Sequence, residues 1–150
     1  MRLLIQRVKK ASVTIEEKIQ SKIGAGLLVF VGITDDDDAK DIEYLVQKMM
    51  NLRIFDDESG VMNQSVLDIA GEILVVSQFT LYARTRKGNR PSYIDAAKPE
   101  ISVPLYEQFC CRTEILLGKK IETGKFGADM EIDLINNGPV TIWIDSKNKE

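Results

Sequence analysis

The strongest constraint on the fold is a run of apolar residues in the middle of the chain, within the stretch EILVVSQFTL at residues 72–81. Its centre, Ile73 to Val76, has no polar face, so a strand here must be covered on both sides. A second such run, at residues 27–31, follows the glycines at positions 24 and 26. The sequence therefore predicts buried strands in a sheet, with residues 72–81 near its centre.

Two helices are predicted beside this sheet. Apolar residues recur at helical spacing from 39 to 52, and a second helical pattern runs from 99 to 117 and ends at Gly118. Pro104 falls within about the first turn of the second helix, where a missing N–H costs little. The four aspartates at 35–38 could suggest a magnesium site, but a solvated loop that caps the first helix is the better interpretation.

The remaining strands are predicted from alternation and β-branched content. They lie at residues 3–8, 11–15, 53–55, 121–126, 130–135 and 140–145, and a polar turn at 56–60 closes a hairpin onto Val61 and Met62. Pro139 stands where the last strand begins. Proline cannot donate to a sheet ladder, so it is tolerated at a strand's first residue, at an edge or at a bulge. The simplest interpretation of Gly138 and Pro139 is a turn.

Length and composition favour one domain. The chain has 150 residues and 44% hydrophobic content, which suits a single domain at residues 1–150 with 146–150 as a frayed tail. It shows no secretory signal and no apolar run long enough to span a bilayer. The cysteines, Cys110 and Cys111, are neighbours that could hardly pair within a helix, which fits a reducing compartment. We expect a cytoplasmic protein with no membrane partner.

The absence of histidine excludes several kinds of chemistry. Ser-His-Asp and Cys-His catalysis and the common histidine-based zinc sites all require that residue. No metal and no cofactor is expected. The net charge of −3 argues against indiscriminate binding of nucleic acid, although a local basic patch stays open.

Three polar stretches are unusual for a purely structural domain, at residues 77–80, 84–90 and 137–141. With them the sequence resembles the D-aminoacyl-tRNA deacylases, also called D-tyrosyl-tRNA deacylases, along nearly the whole chain. The matching motifs are IQRV (5–8), ASVT (11–14), NLRIF (51–55), SVLD (65–68), SQFTLYA (77–83), RPS (90–92), TGKFGADM (123–130) and NNGPVT (136–141). The resemblance implies a homodimeric enzyme that hydrolyses the ester between a D-amino acid and the terminal ribose of tRNA.

The resemblance also implies the site. The candidate catalytic residues line the pocket for the aminoacylated adenosine, and they are Ser77, Gln78, Phe79 and Thr80. Substrate binding and chiral selection are expected from a Gly-Pro motif, Gly138 and Pro139, which has a cis peptide bond and enters from the partner subunit. Asn137, Arg7 and Met130 are assigned to the same role. A basic loop after the pocket strand suits the phosphates of the acceptor end, and its candidate tRNA-binding residues are Arg84, Arg86, Lys87 and Arg90. DNA is not expected as a partner.

Each assignment has a structural alternative. Ser77 and Thr80 could be ordinary strand residues, and the basic loop could be a solvated surface loop. Arg7 could lie on the surface or could brace the Gly-Pro segment. Met130 and its neighbour Phe126 fit the core, with pocket lining as the alternative.

A Gly-Pro wall can select chirality by steric exclusion. A cis bond turns successive carbonyls to the same side. If the amino group of the substrate is held, an L side chain points into the carbonyls of Gly138 and Pro139, and a D side chain points to solvent. Glycine has no side chain to reject, so cleavage of glycyl-tRNA is expected as well.

The chemical step follows from the lack of classical bases. A hydroxyl nucleophile needs an activating base, which only a lysine or a carboxylate could provide here. The N–H groups of Phe79 and Thr80 are candidate oxyanion donors. The family is thought to use the 2′-hydroxyl of the RNA to assist attack by water, and we favour that mechanism with Thr80 shaping the pocket. The alternatives are Thr80 as nucleophile and a non-catalytic nucleic-acid-binding module.

The expected fold is α/β. A bent, mostly antiparallel sheet closes toward a barrel, and two main helices pack outside it, as in D-aminoacyl-tRNA deacylases.

Overall fold

The computed structural model describes residues 1–149, and its first strand, β1 (Arg2–Ile15), organises the sheet. One side of β1 pairs antiparallel with β3 (Gly26–Gly32) through its first half and with β2 (Lys18–Ile23) through its second half. The other side pairs antiparallel with β8 (Glu131–Asp145) along almost its whole length. The sequence predicted two strands within β1, but the backbone stays extended through Lys9 and Lys10 and makes them one.

The strand β2 was missed by the sequence interpretation. It has no run of apolar residues, and Ile19 on it is 67% exposed. The hairpin between β1 and β2 turns at Glu16 and Glu17, which both have positive φ. Tight hairpins of this kind usually carry asparagine or glycine at those positions, so the usual turn signal is absent from the sequence.

Two further strand pairings of the sheet are parallel. β6 (Glu72–Ser77) pairs with β3, and the short β7 (Glu122–Thr123) pairs with β6, which gives the order β2-β1-β3-β6-β7 with β8 on the far side of β1. Strand β2 also contacts β6 and β7, so the sheet curls until its two ends approach each other. The predicted bent, mostly antiparallel sheet closing toward a barrel is confirmed.

Several predicted strand boundaries were wrong. The strand predicted at 72–81 ends at Ser77 and is followed by a short 3₁₀ helix, Phe79–Tyr82. The strand predicted at 121–126 shrinks to β7, and the strands predicted at 130–135 and 140–145 are the single strand β8. The hairpin predicted after residue 53 is present as β4 (Phe55–Asp56) and β5 (Met62–Gln64).

Both predicted helices are present and pack against each other on one face of the sheet. Helix α1 (Ala39–Asn51) begins at Asp38, whose side chain accepts hydrogen bonds from the first turn in a capping box with Asp41. Helix α2 (Pro99–Leu117) ends at Gly118, which has the left-handed backbone common at helix ends. The fold class predicted from the sequence is therefore confirmed.

Strands β3 and β6 are buried on both faces, as their apolar runs required. The face toward the helices packs Leu3, Ile5 and Val29 against residues of α1 and α2. The inner face of the curled sheet packs Leu28, Leu74 and other residues in a second cluster. Neither helix in residues 1–149 combines the length and apolarity that a membrane span requires.

Residues 146–149 belong to the tail that the sequence predicted to fray, and two of them contact the rest of the protein. The Met1 ammonium group, buried against the Asp37 carboxylate, also donates to the Ser146 hydroxyl at 2.8 Å. Lys147 Nζ lies 2.8 Å from the Asp41 carboxylate. Burial opposes ionisation of Asp41, but the hydrogen bonds from Lys147 and Ser146 outweigh it and hold its pKa at about 2. Glu150 lies outside the described residues.

Candidate functional site

The pocket segment, residues 77–80, begins where β6 stops pairing. The Gln78 N–H donates to the Val31 carbonyl at 2.7 Å, and the chain then turns into the 3₁₀ helix. This turn crosses close to the end of β3, because a Cβ at Gly32 would lie 2.9 Å from the Leu81 side chain. A glycine is therefore required at the crossing.

The turn leaves backbone donors free. Within residues 1–149, the N–H groups of Phe79 and Thr80 donate to no protein acceptor, as expected for the first residues of a helical turn. Gln78 and Thr80 are half-buried, and Phe79 is 57% exposed. The segment thus presents two adjacent N–H groups beside an exposed aromatic ring.

Two cavities flank the pocket segment, and Ser77, Gln78, Phe79 and Gly127 line both. The larger one, which we call the Tyr93 cavity, has a volume of about 380 Å³ and is also lined by Tyr93, Lys98 and Phe126. The smaller one, the Met130 cavity, has a volume of about 260 Å³ and is also lined by Asp129 and Met130.

Met130 is half-buried between the core and the cavity. Its sulfur lies over Gly124, where an added Cβ would come within 2.6 Å of it, and the side chain packs against the inner cluster of the sheet. Phe126 packs edge-to-face on Tyr106 with ring centroids 5.7 Å apart and still lines the Tyr93 cavity. Both residues therefore belong to the core and to a cavity wall, so the two alternatives weighed from the sequence are not exclusive.

The hydroxyls of the pocket segment lack an activating base. Gln78 Nε2 donates to Thr80 Oγ1 at 2.5 Å, which occupies that hydroxyl as an acceptor. Across residues 1–149, no lysine or carboxylate side chain hydrogen-bonds to Ser77 or Thr80. The nearby Tyr82 is no better as a base, because burial raises the pKa of its phenol well above the usual value.

Gly138 and Pro139 lie in a bulge of β8 and not in a turn between two strands. Asn136 pairs with Val8 and Thr141 pairs with Gln6, so residues 137–140 all lie opposite Arg7. We call these four residues the Gly-Pro bulge. The peptide bond between Gly138 and Pro139 is cis, and both residues are exposed. The missing N–H of proline is tolerated here because the ladder is interrupted.

Arg7 holds the Gly-Pro bulge from inside the protein. It is 5% exposed, so the surface interpretation was wrong. Its Nε donates to the Asn137 carbonyl at 2.8 Å, and its Nη1 donates to the Ile54 carbonyl. Asn136 adds to this brace by donating to the carbonyls of Arg7 and Val140 at 3.1 and 3.0 Å.

The Gly-Pro bulge and the pocket segment lie far apart along the sheet. Neither Gly138 nor Pro139 lines either cavity at the pocket segment. Arg7, opposite the bulge, pairs with Leu27, and Leu27 pairs with Ile73, four residues before Ser77 on β6. The path from the bulge to Ser77 crosses three strand-to-strand steps, from β8 through β1 and β3 to β6, and then follows four residues of β6. Its ends are roughly 20 Å apart along the sheet.

The basic loop, residues 84–92, is closed at its base. Arg84 exchanges backbone hydrogen bonds with Ser92, and its guanidinium makes two hydrogen bonds to the Asp95 carboxylate. Arg86, Lys87 and Arg90 are exposed and form no ion pair within residues 1–149. Arg84 therefore shapes the loop, while the other three cations face solvent.

The sequence interpretation missed several cavity residues. Tyr93, Lys98 and Gly127 line the Tyr93 cavity but belong to none of the predicted site groups. Tyr93 directly follows the RPS motif, and Gly127 lies inside TGKFGADM. Both therefore lie within or beside motifs that had been recognised, which was the available signal.

Comparison with known proteins places these features in context. The model of the D-Tyr-tRNA(Tyr) deacylase family matches residues 4–145. The D-aminoacyl-tRNA deacylase of Bacteroides thetaiotaomicron is 64% identical over 150 residues, with 100% of both chains covered.

Two solved structures are similar over almost the whole chain. One, named c-Myc DNA Unwinding Element Binding Protein, superimposes with a TM-score of 0.92 at 41% identity and covers 97% of this chain and 98% of its own. The other, a probable eukaryotic D-amino acid tRNA deacylase, has a TM-score of 0.81 at 18% identity and covers 95% of this chain and 97% of its own. The second likeness concerns the fold alone.

Proposed function

The chain belongs to the D-Tyr-tRNA(Tyr) deacylase family, and we infer that it is a D-aminoacyl-tRNA deacylase, a hydrolase that cleaves the ester between a D-amino acid and tRNA. The products are the free D-amino acid and the uncharged tRNA. The observation that carries this inference is the match over residues 4–145 together with 64% identity to a relative of that name.

The aminoacylated adenosine is assigned to the Met130 cavity. This cavity brings Ser77, Gln78 and Phe79 of the pocket segment together with Met130, a residue that the sequence analysis assigned to substrate binding and chiral selection. Its volume of about 260 Å³ is below the range of roughly 300–1,000 Å³ typical of ligand pockets. A site of this size needs a further wall to enclose an aminoacyl nucleoside.

The chemical step is assigned to backbone donors and to the RNA itself. The free N–H groups of Phe79 and Thr80 suit an oxyanion that develops on the ester carbonyl, a role worth about 3 kcal/mol per donor in other hydrolases. The Thr80 hydroxyl has Gln78 and no base beside it, so attack by water assisted by the ribose 2′-hydroxyl is the mechanism we favour.

The missing wall is assigned to a second subunit. The Gly-Pro bulge is exposed and lies roughly 20 Å along the sheet from the pocket segment of its own chain. We therefore propose a homodimer in which Gly138 and Pro139 of one subunit border the Met130 cavity of the other. Sedimentation should give a dimer, and a fully active monomer would contradict this arrangement.

Chiral selection is assigned to the same contact. The carbonyls of Gly138 and Pro139 would exclude an L side chain and leave room for a D side chain or for glycine. The buried Arg7 and the exposed Asn136 hold the bulge through hydrogen bonds to its backbone, so the wall cannot move aside easily. Free cations of the basic loop, namely Arg86, Lys87 and Arg90, would contact phosphates of the acceptor end.

The activity is tested by incubating the protein with D-tyrosyl-tRNA, L-tyrosyl-tRNA and glycyl-tRNA and following loss of the labelled amino acid. We expect rapid cleavage of the D ester, slower cleavage of the glycyl ester and an intact L ester. An intact D ester would reject the deacylase assignment, and equal cleavage of D and L esters would reject the chiral wall.

A second function is favoured by one observation. The relative at 41% identity is named for binding a DNA unwinding element. A non-catalytic nucleic-acid-binding module that uses the basic loop would leave all three esters intact and would bind duplex or single-stranded DNA. The same incubation therefore separates the two functions, with a DNA-binding titration as the complementary measurement.

A further inference from the structure

The 3₁₀ helix that carries the pocket segment has little support of its own. The helix Phe79–Tyr82 is four residues long, and its N-cap Gln78 makes no side-chain capping hydrogen bond. A 3₁₀ helix has poorer hydrogen-bond geometry than an α-helix and stays short. The Ala83 N–H closes the turn on the Thr80 carbonyl at 3.0 Å. The direction of the free Phe79 and Thr80 N–H groups therefore depends on contacts from outside the helix.

A row of three residues across the sheet receives this helix. Arg2 on β1 pairs with Gly32 on β3 and with Asp145 on β8, so the three positions share one face of the sheet. At Gly32 an added Cβ would lie 2.9 Å from the Leu81 side chain and 3.2 Å from the Gln78 carbonyl oxygen. The 3₁₀ helix thus lies against the position of the row that has no side chain, beside Arg2.

Arg2 fastens the helix to this row. Its Nη1 donates to the Leu81 carbonyl at 2.9 Å, and its Nε donates to the Asp145 carboxylate at 2.8 Å. The guanidinium carbon also lies 4.2 Å from the centre of the Tyr82 ring. Within residues 1–149 the Leu81 carbonyl accepts no backbone hydrogen bond, so the guanidinium is its partner. One side chain therefore holds the end of the helix through a carbonyl and a ring.

Asp145 keeps the guanidinium in place. Its side chain is 8% exposed and also accepts a hydrogen bond from the Lys147 N–H at 2.9 Å. Burial opposes ionisation of Asp145, but the hydrogen bonds from Arg2 and Lys147 outweigh it and lower the pKa of the carboxyl. Because the guanidinium is planar and rigid, fixing Nε also fixes the direction of Nη1 toward Leu81.

We propose that Arg2 is a positioning residue for ester hydrolysis, which holds the 3₁₀ helix on the sheet so that the Phe79 and Thr80 N–H groups keep a fixed direction toward the ester. Arg2 lines neither cavity at the pocket segment, so it acts through the helix and not on the substrate. Oxyanion donors are effective because their direction is set before the reaction. This inference rests on the proposed deacylase function.

The test compares two arginines that form similar ion pairs. Arg2→Ala removes the proposed clamp. Arg112→Ala is the matched control, because the Arg112 guanidinium makes two hydrogen bonds to Glu43 and its side chain is 32% exposed, against 28% for Arg2. Arg2→Lys keeps the charge but loses the planar fork. For each protein, kcat and KM are measured with D-tyrosyl-tRNA below the temperature at which unfolding begins, and amide hydrogen exchange of Ala83 is followed by NMR.

A selective loss of rate is expected. Arg2→Ala should lower kcat by roughly 10- to 100-fold and change KM by less than about threefold, because a displacement of about 1 Å at a reacting group can cost this much. Arg2→Lys should lower kcat by roughly threefold or more. Exchange of the Ala83 N–H should be faster in Arg2→Ala, since the turn opens more often. Arg112→Ala should keep the kcat and the exchange rate of the unmodified chain.

Each contrary outcome overturns a defined claim. If Arg2→Ala keeps kcat, or loses no more rate than Arg112→Ala, Arg2 serves only the stability of the fold and the positioning role is rejected. If KM rises while kcat stays, Arg2 acts in tRNA binding and the role is rejected as well. If Arg2→Ala does not fold, Arg2→Lys decides, and an unchanged kcat rejects the role. In all these cases the deacylase function stands, whereas it is itself rejected if the unmodified chain leaves the D, L and glycyl esters intact.

Discussion

The pocket segment and the Gly-Pro bulge are both irregular stretches next to regular strands, but their backbones are held in different ways. At the pocket segment the chain turns away from the sheet and leaves two N–H groups free beside two cavities. At the bulge the chain stays in line with β8, and hydrogen bonds from Arg7 and Asn136 hold its backbone. Under the proposed function, the first region receives a ligand, whereas Gly138 and Pro139 line neither of the two cavities in their own chain.

Under the proposed function, this difference separates catalysis from specificity. Free N–H groups act on charge that develops during reaction, so they accelerate an ester hydrolysis whatever the chirality of the amino acid. A braced backbone acts by exclusion, so it selects a substrate without lowering the barrier for it. Under the proposed function, changes at the pocket segment should alter rate, and changes at the bulge should alter selectivity.

The largest expected effect concerns the chemical step. A D-aminoacyl-tRNA that ends in 2′-deoxyadenosine, charged on its 3′-oxygen, should bind but react roughly 10²- to 10⁴-fold more slowly, because it lacks the assisting hydroxyl. Thr80→Ala should keep measurable activity on the natural substrate in single-turnover assays. Rapid cleavage of the deoxy substrate, or a covalent aminoacyl ester trapped on Thr80, would instead establish a side-chain mechanism.

The next effect tests whether the two regions meet across subunits. Pro139→Gly should raise cleavage of L-tyrosyl-tRNA by about tenfold or more, which corresponds to loss of at least about 1.4 kcal/mol of discrimination. Ala128→Trp should block the Met130 cavity while its own bulge stays intact.

Co-expression of Pro139→Gly with an excess of Ala128→Trp should then restore selectivity. In a mixed dimer, the open cavity of the Pro139→Gly subunit faces the unmodified bulge of the Ala128→Trp subunit. Cleavage of L-tyrosyl-tRNA per open cavity should therefore fall toward the value of the unmodified chain. Unchanged L cleavage in the mixture would place the bulge and the cavity in the same chain. Ala128→Trp alone serves as the control for residual activity.

A smaller effect concerns the brace. Arg7→Ala removes a buried guanidinium from the carbonyls of Asn137 and Ile54 and should lower the free energy of unfolding by about 2–4 kcal/mol. Denaturant unfolding measures this change, with Lys10→Ala, an exposed residue of the same strand, as the control. If the destabilised variant still rejects L-tyrosyl-tRNA fully, the brace is not needed for chiral selection.

The smallest effect separates the cations of the basic loop. Neutralising Arg86 and Lys87 together should weaken tRNA binding and reduce the slope of log K against log salt by about 1 to 2 units. Arg84→Ala should leave the slope nearly unchanged, because that guanidinium is bound by Asp95. If the unmodified chain, the double variant and Arg84→Ala all give the same slope, the RNA binds elsewhere on the surface.

Local signals in the sequence predicted the local features well. The cap of α1 at Asp38 and the end of α2 at Gly118 depend on neighbouring residues, so they can be read without knowledge of the tertiary structure. The resemblance supplied the candidate site residues, and the structure brings Ser77 to Phe79 together with Met130. The roles of these residues stay predictions.

Features set by distant contacts were not predictable from sequence patterns. The end of β6 at Ser77 depends on how the 3₁₀ helix crosses Gly32, and the bulge at 137–140 depends on the register of β8 against Arg7. Buried Arg7 looks like any polar residue of an alternating strand. Its interior position follows from the carbonyls of Asn137 and Ile54, which lie far from it in sequence.

The pairing of β1 with β8 has a consequence for synthesis of the chain. The register joins Arg2 to Asp145, so the first strand made must wait for the last before its outer edge is covered. At about 5–20 residues per second the wait is roughly 7 to 30 s, far longer than a local hairpin needs to form. During that interval the nascent protein carries a long open strand edge, so newly made chains should depend on chaperones more than their small size suggests.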